Sequence, residues 1–312
     1  MFTLTAVLLL VGVISLNWIV DPFGRFGLNR VGLFFGSERE AAYGMVPHAE
    51  YDGIILGSSK ATEIQPSDLL GTRLLNTAWS AALPEEMLYF LRDRFDPYRA
   101  GRYVVIGFDF FMFNEFSLPF VGESKFTDDW ADQALEYLLS LPIAGKSLGA
   151  LWRAFREEPP DILPSGARNT AEHVAENPGL AISYGRVLEA LRGKVWANYQ
   201  FSQRRVEVLA EIKSLMEREC TPTVVFLSPL HPEVRALIVE MQLEDHFEQF
   251  RAAVGRLFPD VIDLTASEWS QAEDFYRDDP FHYLPKTGAD FFTRALQPQI
   301  VRAAQRVCPQ KH

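Results

Sequence analysis

The longest apolar run of the chain lies at its start. Phe2 to Val20 (FTLTAVLLLVGVISLNWIV) holds nineteen residues without a charge. At ~1.5 Å per residue such a helix reaches about the 30 Å of a bilayer's hydrocarbon core, so the pattern predicts a membrane helix over residues 1–22. Trp18 falls where an interfacial aromatic belongs, and Pro22 disfavours helix at the residue before it. The basic start, short apolar core and small-residue cleavage site of a signal peptide are not evident before Asp21-Pro22-Phe23-Gly24, which favours an uncleaved anchor. A buried helix of a soluble protein is the alternative, and nineteen uncharged residues are long for it.

Beyond a linker and entry segment at 23–50, short apolar runs alternate with amphipathic ones. Asp52 to Leu56 (DGIIL), Leu74 to Ala78 (LLNTA), Arg102 to Phe108 (RYVVIGF), Thr223 to Ser228 (TVVFLS) and Val261 to Leu264 (VIDL) have the length and β-branched content of buried strands. Ser67 is placed to cap a turn before Leu69-Leu70, and Pro84-Glu85-Glu86 opens a helix with proline and acids in its first turn. Further helices are expected near Arg204 to Glu219, across Pro232 to Phe258, and from about Thr287 to Arg306. The alternation predicts one α/β domain over 51–312, a three-layer sandwich around a mostly parallel sheet. It breaks between about 110 and 200, where an aromatic-rich stretch, two helical segments (Asp128 to Ser140 and Gly145 to Glu157) and a Pro/Gly-rich loop read as an insertion. An insertion following a strand's C-terminus is expected over the ligand end of the sheet, and residues 157–180 are its candidate for a mobile loop.

Composition narrows the function. With 30 Lys and Arg against 41 Asp and Glu, a formal net charge of -11, the attraction that drives phosphate-backbone binding is missing, and nucleic acid is not an expected partner. Two cysteines, Cys220 and Cys308, leave room for one disulfide in an oxidising compartment but match no zinc pattern. The histidines show no ligand spacing, so no metal site and no cofactor are expected. Gly145-Lys146-Ser147 lacks the upstream glycine and the preceding strand of a phosphate loop.

The candidate chemistry lies at strand ends. DGIIL runs into Gly57-Ser58-Ser59-Lys60, a small-residue turn that would lift Ser59 above the sheet edge as a nucleophile. A helix-cap or turn serine is the plain alternative. Asp279-Pro280-Phe281-His282 precedes the last helix. A turn of that length brings the carboxylate to Nδ1–H of His282 and leaves Nε2 to accept the Ser59 proton. His231, after the strand ending at Ser228, is a secondary substrate-contact candidate against the reading of a surface loop residue, and Lys60 reads as a solvated first-turn residue or a polymer contact. The phenylalanines at 108, 110, 111, 113, 116 and 120 read as packing rather than as an acyl slot.

Gly57-Ser58-Ser59 early and Asp279-x-x-His282 late resemble the SGNH/GDSL hydrolase superfamily over roughly residues 50–120 and 200–306. The resemblance implies a flavodoxin-like sheet with Ser59, Asp279 and His282 as a catalytic triad. Gly-Ser-Ser behind a single N-terminal membrane helix resembles the branch of that superfamily that holds the alginate O-acetylation proteins and the D-alanyl transfer protein of teichoic acid synthesis. It implies serine-dependent acyl transfer to a cell-surface or exported polysaccharide, with an acyl donor, often beside a multi-pass membrane-bound O-acyltransferase. A carbohydrate esterase using the same triad and a catalytically silent binding subunit are the competing functions. The superfamily's second-block glycine is absent from Asn76-Thr77-Ala78-Trp79-Ser80-Ala81-Ala82, and its third-block asparagine is replaced in Gly107-Phe108-Asp109-Phe110. Asn76, Ser80 or Asn114 would then complete the oxyanion hole with the Ser59 N–H, and Ser58 and Asp109 join the list of substrate-facing candidates. Arg25 and Arg30 after the anchor would alone favour a cytoplasmic domain, but two arginines are a weak bias and long domains translocate largely regardless of charge. The implied function places the domain outside the cytoplasm.

Overall fold

The computed structural model describes residues 2–29, 38–65, 73–95, 103–117, 130–169, 184–276 and 279–305. An N-terminal helix, α1 (Phe2–Val20), is followed by α2 (Glu38–Met45) and by an α/β domain built on five parallel strands: β1 (Gly53–Leu56), β2 (Leu74–Asn76), β3 (Tyr103–Phe108), β4 (Thr223–Leu227) and β5 (Ile262–Asp263). Their spatial order is β2-β1-β3-β4-β5. The chain therefore reverses its direction of travel across the sheet between β1 and β3, the kind of position where open parallel sheets bind ligands.

Each long strand is buried on both faces, and its side chains divide by the two-residue period of a pleat. Ile54, Leu56, Val104, Ile106, Phe108, Val225 and Leu227 join one core, while Ile55, Tyr103, Val105, Val224 and Phe226 join the other. The first core is closed by α2, α3 (Pro84–Asp93), α7 (Gln203–Arg218), α8 (Pro232–Glu240) and α9 (Glu244–Leu257). The second is closed by residues from the chain's end: Phe291, Phe292, Leu296, Ile300 and Ala303 of α10 (Pro285–Phe291), a π-helical turn and α11 (Gln297–Ala304). Helices on both faces of the sheet make three layers. Phe108, Phe110 and Phe113 are buried in the first core, as a packing role requires, whereas Phe116 is exposed and Phe120 lies outside the described residues. Ser67, Arg30 and Cys308 also lie outside them. Cys220 is disulfide-bonded.

The insertion departs from expectation in one respect. Its helices, α4 (Trp130–Leu139) and α5 (Leu141–Phe155), pack on α1 rather than over the sheet. Asn17 of α1 is fully buried. Its Nδ2 donates to the carbonyls of Tyr137 (3.2 Å), Leu138 (3.1 Å) and Ser140 (3.0 Å) where α4 passes into α5, and its Oδ1 accepts from Ser147 Oγ (3.0 Å). Asp21, at φ 43°, stops α1; its carboxylate accepts from Tyr137 Oη (3.1 Å) and from the N–H groups of Phe26 (2.9 Å) and Leu28 (3.1 Å). Gly145-Lys146-Ser147 sits inside α5, where no phosphate loop forms. What reaches the C-terminal edge of the sheet is the loop after α5 and the short α6 (Tyr184–Ala190). The N–H of Asn76 donates to Ser165 O (2.8 Å) and that of Arg168 to Thr62 O (3.0 Å), while α6 packs against β7 (Asp279–Tyr283).

Candidate active site

β1 runs into Gly57, where an added Cβ would come within 2.5 Å of the Ala61 Cβ, so the turn closes this tightly because the residue is glycine. Ser58, Ser59 and Lys60 follow, and the turn tightens into one 3₁₀ turn at Ala61–Glu63, where Thr62 Oγ1 donates to Ser59 O (2.6 Å). Ser59 is 8% exposed, at the mouth of the strand end.

The partner residues arrive on a separate antiparallel pair, β6 (Phe275–Tyr276) with β7. The sequence placed Asp279 and His282 in a turn before the last helix, and the structure puts them on this short strand. Asp279 Oδ1 accepts from the N–H of Phe281 (2.9 Å), and Oδ2 lies 2.7 Å from His282 Nδ1. His282 Nε2 lies 2.8 Å from Ser59 Oγ. Burial alone would raise the Asp279 carboxyl, but its hydrogen bonds with His282 and the Phe281 N–H hold it below the ordinary carboxylate value. An ionised Asp279 fixes a proton on Nδ1 and leaves Nε2 as the acceptor facing the serine. Tyr283 Oη donates to the Lys60 carbonyl, which ties the strand carrying His282 to the turn carrying Ser59.

The other residues singled out from the sequence do not point into one site. Asn76 Nδ2 donates to Ala61 O (2.8 Å) and Ile64 O (2.9 Å), and its Oδ1 accepts from the Ala78 N–H (3.0 Å). It holds the turn that carries Ser59 from behind. Ser80 is exposed, and its N–H and Oγ donate to Glu38 Oε2 (2.7 and 2.8 Å). Asn114 Nδ2 donates to Val195 O (2.7 Å) in the insertion's packing. None of the three side chains thus stands free as a donor beside Ser59. Asp109 is buried, accepts from Ser58 Oγ and faces Lys60 Nζ at 3.5 Å. His231 is buried at the start of α8, where Nδ1 accepts the Glu233 N–H (3.1 Å); burial lowers its pKa, which suits a neutral ring acting as acceptor. The surface-loop reading of His231 is therefore corrected.

Lys60 is corrected as well. It is neither solvated nor placed for a polymer: it is 1% exposed, donates to Pro229 O (3.2 Å) and stands 4.7 Å from the centre of the Phe281 ring. Burial lowers its pKa, opposed by Asp109. Ser58, Lys60 and Asp109 form one buried polar knot that joins the ends of β1, β3 and β4 next to Ser59. Sequence reasoning passed over Glu63 and Arg168. Arg168 reaches from the insertion loop to Glu38, to Glu63 Oε1 (3.3 Å) and to Ser80 Oγ (2.9 Å), and so fastens the loop beside the triad. A carboxylate two residues inside an apolar turn was the available signal.

Among the described residues no hydrogen bond engages the Ser59 N–H, so this donor remains for an oxyanion. No cluster of three or more His, Cys, Asp or Glu placed to hold a metal ion occurs among them. No protein-family model matches the chain, and no curated protein matches it.

Proposed function

We propose that this chain is a membrane-anchored serine acyl-transfer enzyme of the SGNH/GDSL type, acting outside the cytoplasm to O-acylate, and specifically O-acetylate, a cell-surface or exported polysaccharide. The observation that carries this reading is the hydrogen-bonded line Ser59 Oγ, His282 Nε2, His282 Nδ1, Asp279 Oδ2, with steps of 2.8 and 2.7 Å. The strand order β2-β1-β3-β4-β5, which is the flavodoxin-like order, supports it, as does the position of Ser59 directly after β1 at the reversal point. α1 is long and apolar enough to anchor the chain, and the Cys220 disulfide favours an oxidising compartment for the domain.

In the proposed reaction His282 Nε2 takes the Ser59 proton as Oγ attacks the carbonyl carbon of an acyl donor. Asp279 stabilises the imidazolium, and the Ser59 N–H meets the developing oxyanion. The bond to the leaving group then breaks, and that group departs with the proton from Nε2. A sugar hydroxyl gives its proton to Nε2, takes the acyl group, and Ser59 regains its hydrogen. Water in the last step gives an esterase on the same residues. A multi-pass O-acyltransferase is the partner that would supply the acyl group.

A silent binding subunit is the second reading, favoured by one observation: Asn76, Ser80 and Asn114 spend their donors elsewhere. Loss of one oxyanion donor costs ~3 to 4 kcal/mol of transition-state stabilisation. Labelling of the full chain in detergent with a fluorophosphonate separates the two. An active serine gives one adduct, abolished by Ser59→Ala and slowed about 10³-fold or more by His282→Ala. Absence of any adduct on folded wild-type protein, or labelling that survives Ser59→Ala, refutes the acyl-enzyme reading.

A further inference from the structure

The α4–α5 hairpin is gripped by α1 on one side and bare on another. Along α5 the buried positions Ala144, Ser147 and Ala150 face α1, where Leu16, Asn17 and Val20 meet them. A second stripe follows the i, i+4, i+7, i+11, i+14 spacing of one helix face: Leu141, Gly145, Leu148, Trp152 and Phe155. No charge interrupts it. Leu148 is 58% exposed, Trp152 61% and Phe155 79%, and the rings of the last two stack at 6.0 Å. Burying three such side chains would ordinarily stabilise the fold, so their display on one face points to an apolar surrounding.

The position of the stripe along α1 identifies that surrounding. Thr3 to Gly12 are exposed all round, and protein cover begins only at Val13 and continues to Val20, a length of ~12 Å at 1.5 Å per residue. The hairpin therefore sits at the depth where a spanning α1 leaves the hydrocarbon core, and its stripe continues α1's apolar surface sideways. We infer that α5 lies in the headgroup and upper acyl zone of the bilayer, with Leu148, Trp152 and Phe155 inserted among lipid chains. An interfacial helix of this kind buries its apolar face ~5 to 10 Å deep, and a Trp at that level matches the preference of the indole. The hydrogen bonds of Asn17 to both helices of the hairpin make anchor and interfacial helix one body. The inference rests on α1 as an anchor and is independent of the triad.

The test uses the full chain in vesicles of phosphatidylethanolamine and phosphatidylglycerol. Single nitroxide labels are placed through Leu8→Cys, Leu148→Cys, Phe155→Cys and, as a control on the domain surface, Val239→Cys. Collision with oxygen is compared with collision with a water-soluble nickel chelate. The expected result is oxygen exceeding nickel at 8, 148 and 155 and the reverse at 239, with the ratio at 148 and 155 between the other two. Nickel contact at 148 and 155 equal to that at 239, while 8 stays in lipid, overturns the inference. So does shielding of 148 and 155 from both reagents, which would mean a protein neighbour. A water-exposed label at 8 removes the anchor and the inference with it. Labelling of Ser59 in the same samples reports separately on the proposed activity.

Discussion

Glu63 is a carboxyl that folding should hold protonated, and replacing it by glutamine measures that directly. It is 2% exposed in the turn behind Ser59, and Arg168 Nη1 lies 3.3 Å from its Oε1. Burial lifts its pKa from the ordinary 4.5 to about 8, with Arg168 pulling the other way and Glu38 and Asp279 adding to the rise. A raised carboxyl makes a contribution to stability that is complete below the unfolded value and is lost as pH climbs through the folded one. The unfolded chain releases its proton near the ordinary value, while the folded chain keeps it until near the raised one. In that window stability falls by at most ~1.4 kcal/mol per pH unit from this group. Glu63→Gln carries a neutral side chain of the same shape at every pH. From about pH 5.5 to about pH 7.5 the stability of Glu63→Gln relative to wild type should therefore rise, by no more than ~2.7 kcal/mol. The raised value already includes the opposing pull of Arg168, and a rise of about 1 to 2.5 kcal/mol is expected. Urea unfolding of both full-length proteins in detergent, followed by tryptophan fluorescence, gives the difference at each pH, and other titrating groups cancel. A difference independent of pH, or one that moves against the variant as pH rises, refutes the argument. Either would mean that Glu63 is ionised in the folded protein and paired with Arg168.

Two further predictions follow from the site. Asp279→Asn keeps the shape of the side chain but removes the carboxylate charge that fixes the His282 tautomer, so fluorophosphonate labelling should slow about 10³- to 10⁴-fold while the unfolding midpoint moves little; labelling at the wild-type rate would remove Asp279 from the site. Asn76→Ala leaves the Ala61 and Ile64 carbonyls without their shared donor and should cost about 2 to 3 kcal/mol in the same unfolding assay, and an unchanged midpoint would refute its place behind the nucleophile.

The strands were legible because each is a short apolar run bounded by polar or glycine residues, and the alternation of Ile54 with Ile55 already implied a sheet covered on both faces. Ser59, Asp279 and His282 were legible because each sits beside a local turn whose geometry is set by its neighbours. The donors were not, because orientation at Asn76 is decided by carbonyls 12 and 15 residues upstream, and at Asn114 by a carbonyl 81 residues downstream. Lys60 misled for a related reason. A lysine in a first turn ordinarily extends into water, and its burial depends on Asp109, Pro229 and Phe281, which arrive from three distant segments. The start of α5 was readable but placed late: Ser140 caps the helix by accepting the Ile143 N–H (3.3 Å), and Pro142 fits its first turn.

The second face of the sheet is covered by a stretch that is synthesised after all five strands. Phe275, Tyr283, Phe291, Phe292 and Ile300 all lie within that stretch, and so does His282. Until these residues emerge, Ile55, Val105 and Phe226 have no lid on that side, and Ser59 has no histidine beside it. The order of synthesis thus acts as a delay: a chain still being made holds a sticky half-sheet, and the same docking step that seals the sheet brings His282 to Ser59. Truncated or stalled products would be prone to aggregate, and their Ser59 would lack the His282 contact.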